Sequence, residues 1–422
     1  MLYFYGVFAF FSLVVISLII IRLIKKQPVE YHAYLVYTLL FGTLSGVIFA
    51  PFFLTVSPRF EGISLQTSIL ITLFTVYSIL ILLVPFIFSR KSNTRNNGID
   101  IREKTVVTVL FVLSLCYLVL RMIAFYKLTP LFAALQGDLL QAARLRQMTQ
   151  LKENNIDFPY IGAVFKSFSI VCVYYYFIIF LRFRICIIQF IIAFMACAIS
   201  LTLDLQKAPV FLMLINMLLI YVYYHKVNIK VLAFSIILIA GLTLCVVFIT
   251  GSDNPFDSFV SIFDRVIFGQ NQGMYYMLEF LSPTTDGFFY NFYFSSLDSV
   301  AILPPNIRVI DFIPYYWGNA TLVNVNTFIV GDAWSFFGWA GMIVSPIICA
   351  LIFWLQMYCF ERMKKYGHIL FTSLAISFFS FYPVNRSLAE ILTLKYFLHY
   401  ICFAMIPIFI IMAALNVLAV KR

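Results

Sequence analysis

"LQTSILITLFTVYSILILLVPFIFS", residues 65 to 89, carries no charged side chain and is apolar along most of its length. A helix needs about 20 predominantly apolar residues to cross the hydrocarbon layer of a bilayer. The stretch is long enough, and it therefore predicts a membrane-spanning helix.

The composition extends this prediction to the whole chain. Of its 422 residues 63% are hydrophobic and only 11% are charged, and the mean hydropathy is +0.98. A soluble domain could not remove so much apolar surface from water. The sequence therefore predicts an all-α polytopic membrane protein, and soluble classes are excluded.

Eleven runs of the chain are long and apolar enough to be membrane-spanning helices. We expect the first run to be a retained span, because no cationic segment precedes it and no small-residue cleavage site follows it. The predicted spans are residues 2–24, 32–56, 65–89, 105–125, 160–181, 185–203, 209–225, 229–250, 333–360, 368–384 and 394–419.

Lysine and arginine in the connections predict the orientation. Seventeen of the 29 basic residues fall on the side that carries the C-terminus and ten on the other side, so the positive-inside rule places the N-terminus outside and the C-terminus in the cytoplasm. The predicted organisation has five parts: 1–125 with spans one to four, 126–159 as a first external loop, 160–250 with spans five to eight, 251–332 as a second external loop, and 333–422 with spans nine to eleven.

The larger loop is acidic and aromatic. It contains eight of the chain's 18 acidic residues and only two arginines, Arg265 and Arg308. Carboxylates and amides hydrogen-bond sugar hydroxyls, and aromatic faces stack on sugar rings. The alternative is that the aromatic residues form an interfacial belt while the acids face water.

The smaller loop predicts an amphipathic helix from about 130 to 150, with Leu131, Leu135, Leu139 and Met148 on its apolar side. Arg144 and Arg146 lie near its end and should point to different sides, because neighbours two positions apart are about 200° apart on a helix. Arginine binds phosphate oxygens through a planar fork, which suits a lipid-linked diphosphate. Alternatively, both arginines extend to ordinary lipid phosphates.

Other residue types limit the chemistry. Arg121 and Lys166 are ionisable residues inside predicted spans, near the ends that flank the smaller loop, and there the simplest interpretation is that their side chains extend to the membrane surface. The four histidines are scattered and absent from both large loops, the eight cysteines show no metal-ligand spacing, and no Gly-rich nucleotide motif occurs. We therefore expect no metal, no other cofactor and no nucleic acid partner.

Three segments, residues 264–280, 295–304 and 324–353, resemble the later half of the O-antigen and oligosaccharide repeat-unit polymerases of the Wzy type. That family has an Arg-x-x-x-Gly-Gln segment, followed by Asn-Thr, Gly-Glu and Phe-Gly-x-x-Gly. The chain departs from the pattern at Asp332, where glutamate is expected. The matching residues are Arg265, Gly269, Gln270, Asn326, Thr327, Gly331, Phe337, Gly338 and Gly341.

The resemblance implies a GT-C-like glycosyltransferase of the bacterial inner membrane, with its active site facing the periplasm. It would join oligosaccharide repeat units carried on undecaprenyl diphosphate, its donor and acceptor, without a metal. A flippase and a chain-length regulator are further candidate partners. For catalysis we expect a carboxylate that acts as base or orienter, Asp332 first and Glu279 second, together with Arg265. The other implied site residues are Arg144, Arg146 and Arg265 for the diphosphate, and Gln270, Tyr275, Asn326 and Thr327 for sugar hydroxyls.

Two other functions remain open at this level. A flippase for the same lipid-linked oligosaccharide would carry charges along a cavity within its spans. A ligase that transfers finished polymer shares the broad layout, but we expect a histidine in its large external loop. Gly338 and Gly341 also have a simpler interpretation, because small residues allow close helix packing.

Overall fold

The computed structural model describes residues 47–54, 62–88, 100–150, 156–158, 161–205, 208–225, 272–280, 328–382 and 388–420, with eleven isolated positions. These residues form helices and short connections, and no strand occurs among them. The main helices are α1 Leu65–Phe88, α2 Ile101–Ala124, α3 Pro130–Leu135, α4 Leu139–Gln150, α5 Ile161–Phe183, α6 Ile187–Thr202, α7 Ala208–Tyr224, α8 Gln272–Phe280, α9 Phe328–Met363, α10 His368–Ser380, α11 Leu388–Leu392, α12 Lys395–Tyr400 and α13 Ile406–Val420.

The helices support a membrane-embedded protein. Within the described ranges, five helical segments are long and apolar enough to cross a bilayer, and three shorter apolar helices accompany them. All eight coincide with predicted spans. The eighth predicted span lies outside the described residues and the first two largely do, so the total of eleven stays a prediction. The long segments are Leu65–Phe86, Ile101–Ala124, Ile161–Phe183, Phe328–Tyr366 and Lys395–Leu415.

Helix α5 lies at the centre of one helix group. It packs against α2, α6, α7 and α10, while α1 packs against α9. Consecutive residues of α5 from Ile170 to Ile179 are all buried, which requires neighbours on every side. Aromatic side chains fill much of the core, and Phe353 of α9, for example, lies edge-on to Phe379 of α10 with 5.2 Å between ring centroids.

Helix α9 begins earlier than the apolar pattern predicts. The sequence starts its span at residue 333, whereas the helix starts at Phe328 and is kinked at Gly338, where φ is 59° and ψ is −143°. A positive φ strains residues with a Cβ atom, so glycine suits this position. The ring of Pro283 is 3.2 Å from where a Cβ of Gly338 would be. Asp332 consequently lies inside the helix before the kink.

Gly341 is required by the same kink. A Cβ atom there would overlap the carbonyl oxygen of Ala333 and lie 2.7 Å from the Cβ of Phe337. We expect Gly341→Ala to lower the free energy of unfolding by about 2–3 kcal/mol, because a backbone carbonyl cannot move aside cheaply. Thermal unfolding in detergent measures this. Ala340→Val, at the exposed neighbouring position, is the control, and equal stability of the two variants would contradict the packing role.

The smaller loop forms a helical hairpin instead of one helix. Gly137 has φ 85° and ends the first helix, and Asp138 accepts a hydrogen bond from the backbone N–H of Gln141 (2.9 Å) at the start of α4. Because the two helices pack against each other, the buried apolar residues differ from the predicted ones. They are Ala133 of α3 and Ala142 and Leu145 of α4. The prediction for Leu135 was wrong, since its side chain is 74% exposed.

Candidate functional site

The two arginines of α4 have different surroundings. Arg144 is exposed, and Arg146 is half-buried with its Nε shielded from solvent and without a hydrogen-bond partner in the described part of the chain. This agrees with the expectation that they point to different sides. The hairpin is fixed at its base, where the N–H of Leu131 donates to the carbonyl of Leu203 (3.1 Å). Arg144 is thus an accessible cation on a hairpin that follows α2 and precedes α5 in the chain.

Asp157, in the same loop, forms ion pairs with cationic side chains of two apolar helices. Its Oδ2 lies 2.8 Å from Lys166 Nζ and 3.5 Å from Arg121 Nη2. Its Oδ1 accepts hydrogen bonds from the Tyr117 hydroxyl and from the N–H of Phe158. The carboxylate therefore ties α2, α5 and the end of the loop together. A Cβ on Gly162 would overlap this carboxylate, so glycine makes the approach possible.

Arg121 is the most enclosed member of this cluster, with 2% of its side chain exposed. Its Nε donates to the carbonyl of Ile156 (2.9 Å) and its Nη1 to the carbonyl of Ser200 (3.3 Å). The sequence favoured an arginine that extends toward the membrane surface, but the structure buries it. The cluster residue that sequence reasoning missed is Asp157. Two cations at neighbouring span ends, with Asp157 shortly before the second of these spans, were the available signal.

Asp332 lies in the buried first part of α9 with 1% exposure. Its Oδ2 accepts a hydrogen bond from the N–H of Leu388 (2.8 Å), the first residue of α11. A carboxylate at this position satisfies a backbone donor that has no partner within its own helix. The structure thus gives Asp332 a packing contact, while its predicted catalytic role stays a prediction.

Glu279 connects α8 to the start of α1. Its Oε2 accepts hydrogen bonds from the N–H (3.1 Å) and the Oγ (2.9 Å) of Ser64. The Oγ of Ser64 in turn accepts from the N–H of Thr67 (3.2 Å), as an N-cap does. Glu279 is half-buried, and so it is more accessible than Asp332.

Tyr275 points into the core beside Glu279. It is 1% exposed, its hydroxyl lies 3.5 Å from the carbonyl of Val47, and its ring meets Phe60 edge-on. Its predicted sugar contact therefore requires movement of α8. The helix is also attached to α9, because Trp334 Nε1 donates to the carbonyl of Met277 (3.1 Å).

The predicted site residues thus fall into two described groups. Glu279, Tyr275 and Asp332 lie on the adjoining helices α8 and α9, whereas Arg144 and Arg146 lie on the loop hairpin. The other predicted residues, Arg265, Gln270, Asn326 and Thr327, lie outside the described residues. In the ranges that the structure covers, no three His, Cys, Asp or Glu side chains gather as metal ligands would.

Comparisons with protein-family models, with curated proteins and with solved structures found no match to this chain.

Proposed function

We propose that this protein is a membrane glycosyltransferase that polymerises lipid-diphosphate-linked oligosaccharide repeat units. The supporting observation is Arg144, an exposed arginine held on a docked helical hairpin between two apolar helices long enough to span a membrane. A guanidinium fork at the membrane surface suits a diphosphate whose lipid tail stays in the bilayer. The sequence pattern from Arg265 to Gly341 supports the same class.

In the proposed reaction, a hydroxyl oxygen of the incoming repeat unit attacks the anomeric carbon of the growing chain. The new C–O bond forms as the bond from that carbon to the lipid diphosphate breaks, and the electron pair leaves with the diphosphate. The hydroxyl proton goes to a carboxylate. Arg144, Arg146 and Arg265 would stabilise the charge that develops on the leaving diphosphate.

Accessibility distinguishes the two candidate bases. A general base must come within hydrogen-bond distance of the proton it takes. Glu279 is half-buried and its Oε2 accepts a hydrogen bond from Ser64, while Asp332 is enclosed against α11. In the proposal, Glu279 therefore takes the proton and Asp332 fixes the helices around it. Gln270, Asn326 and Thr327 would hold sugar hydroxyls, and Tyr275 would join them after a movement of α8.

The proposal places the enzyme in a bacterial inner membrane, with the site on the periplasmic face, the N-terminus periplasmic and the C-terminus cytoplasmic. The orientation follows from the basic residues in the connections. The bacterial inner membrane and the periplasmic site follow from the resemblance to the Wzy-type polymerases. The substrates would be undecaprenyl-diphosphate-linked oligosaccharides as donor and acceptor.

The surface polysaccharide of a strain that lacks the gene tests this function. A polymerase deletion should leave surface lipid that carries a single repeat unit. Absence of any repeat unit on the surface would instead indicate a flippase, and free lipid-linked polymer would indicate a ligase. Complementation with the intact gene should restore the long chains.

A further inference from the structure

A groove at the C-terminal end of α9 is not used by the proposed function. It lies between the last turns of α9 and the segment from Phe397 to Phe409, and its volume is about 470 Å³. This is within the range of about 300–1,000 Å³ typical of small-molecule sites. Met363, Ile401 and Met405 contribute to its largely apolar lining. The groove is thus suited to a hydrocarbon chain.

The helix that forms one wall is irregular at this place. Residues Ile401–Met405 adopt a π-helical turn between α12 and α13, and both ends of this turn line the groove. Single π-helical turns within α-helices occur frequently at functional sites, because the extra residue costs regular hydrogen bonding. The irregular turn is a second feature, independent of the cavity, that singles out this surface.

A cation stands at the rim of the groove. Arg362 is exposed, its Nε donates to the hydroxyl of Tyr358 (2.9 Å), and its guanidinium lies 4.9 Å from the centre of that ring. Both residues line the groove. Tyr358 thereby holds the guanidinium beside the apolar lining, with its terminal nitrogens available to a phosphate.

The neighbouring charges do not cancel this cation. Glu361 is matched by Lys364, whose Nζ lies 2.6 Å from its Oε1, and the same oxygen accepts from Tyr31. Lys365, in the short helical turn that directly follows α9, is also exposed and adds positive charge at this end of the helix. The rim is therefore positive, and basic pockets between membrane helices on the predicted cytoplasmic side bind anionic headgroups.

We propose that this groove binds one anionic phospholipid of the adjoining leaflet, with an acyl chain in the groove and the phosphate on Arg362. The apolar lining suits the acyl chain, and the positive charge at the rim favours a lipid with an anionic headgroup. This site is independent of the polymerase function, and its failure would leave that function untouched.

Retention of lipid by the full chain tests the site. The protein is reconstituted in nanodiscs of equal phosphatidylglycerol and phosphatidylcholine, extracted in mild detergent, and analysed by native mass spectrometry. The intact protein should retain phosphatidylglycerol preferentially, and Arg362→Gln should retain about fivefold less of it, since one basic residue near a charged surface contributes about that much. Cys359→Trp, which fills the groove, should reduce retention of both lipids.

Arg102→Gln is the matched control, because Arg102 is also exposed on the predicted cytoplasmic side but does not line the groove. It should retain lipid like the intact protein. Equal retention of the two lipids by the intact protein, or equal losses from Arg362→Gln and Arg102→Gln, would overturn the proposal in favour of general lipid contact.

Discussion

Replacing Arg144 with glutamine should remove long polymer from the cell surface while single repeat units persist. Arg144 is exposed on α4, and in the proposed reaction it binds the diphosphate as negative charge develops there. Loss of one hydrogen bond to a charged group costs roughly 1.5–3 kcal/mol, which corresponds to about 10- to 150-fold slower transfer at each step. Electrophoresis of surface polysaccharide gives the chain-length distribution, and immunoblotting gives the protein level.

Two further variants separate charge from geometry. Arg144→Lys keeps the positive charge without the planar fork and should give polymer of intermediate length. Lys127→Gln removes another exposed cation of the same loop and should leave the ladder unchanged. A normal ladder from Arg144→Gln, at normal protein level, would exclude Arg144 from the mechanism.

Replacing Asp157 with asparagine should lower the free energy of unfolding by about 3 kcal/mol, because it leaves a buried cation without its anion. Arg121 is 2% exposed, and both it and Lys166 meet this carboxylate. The two carbonyls that bind Arg121 remain and supply hydrogen bonds, but they do not neutralise its charge. Thermal unfolding of the purified protein in detergent measures the loss.

Asp138→Asn is the matched control for this change. Asp138 lies in the same loop, is exposed and caps α4, and asparagine caps helices as well as aspartate does. Its stability should be close to that of the intact protein. Lys166→Gln in the Asp157→Asn background should recover part of the loss, since it removes one of the two repelling cations. Equal stability of Asp157→Asn and Asp138→Asn would rule out the charge cluster as a stabilising element.

The apolar spans were the most predictable part of the fold. Helix α1 runs from Leu65 to Phe88 where the sequence predicts 65–89, and α5 runs from Ile161 to Phe183 where it predicts 160–181. The start of α9 differed more. The apolar pattern is interrupted there by Gly331, Asp332 and Ser335. Hydropathy cannot show that a helix continues through these residues, because they are buried against other parts of the protein and do not face lipid.

The candidate site was less predictable than the spans. The spacing of Arg144 and Arg146 correctly indicated two different environments, because positions on a short helix follow from its period. The hairpin break was missed although Gly137 and Asp138 are ordinary end and start signals of helices. The depth of Tyr275 in the core could not be read from its own segment, since neighbours from distant parts of the chain cover it.

The sequence by itself determined that this is a helical membrane protein and where most of its described spans lie. Transfer of an apolar segment into lipid depends on that segment alone, and therefore composition is sufficient evidence for it. Only the tertiary structure decided which polar groups meet. Asp157 with Arg121, Asp332 with Leu388 and Glu279 with Ser64 come together across long separations in the chain. Their pairing follows from helix packing, which no local pattern of residues specifies.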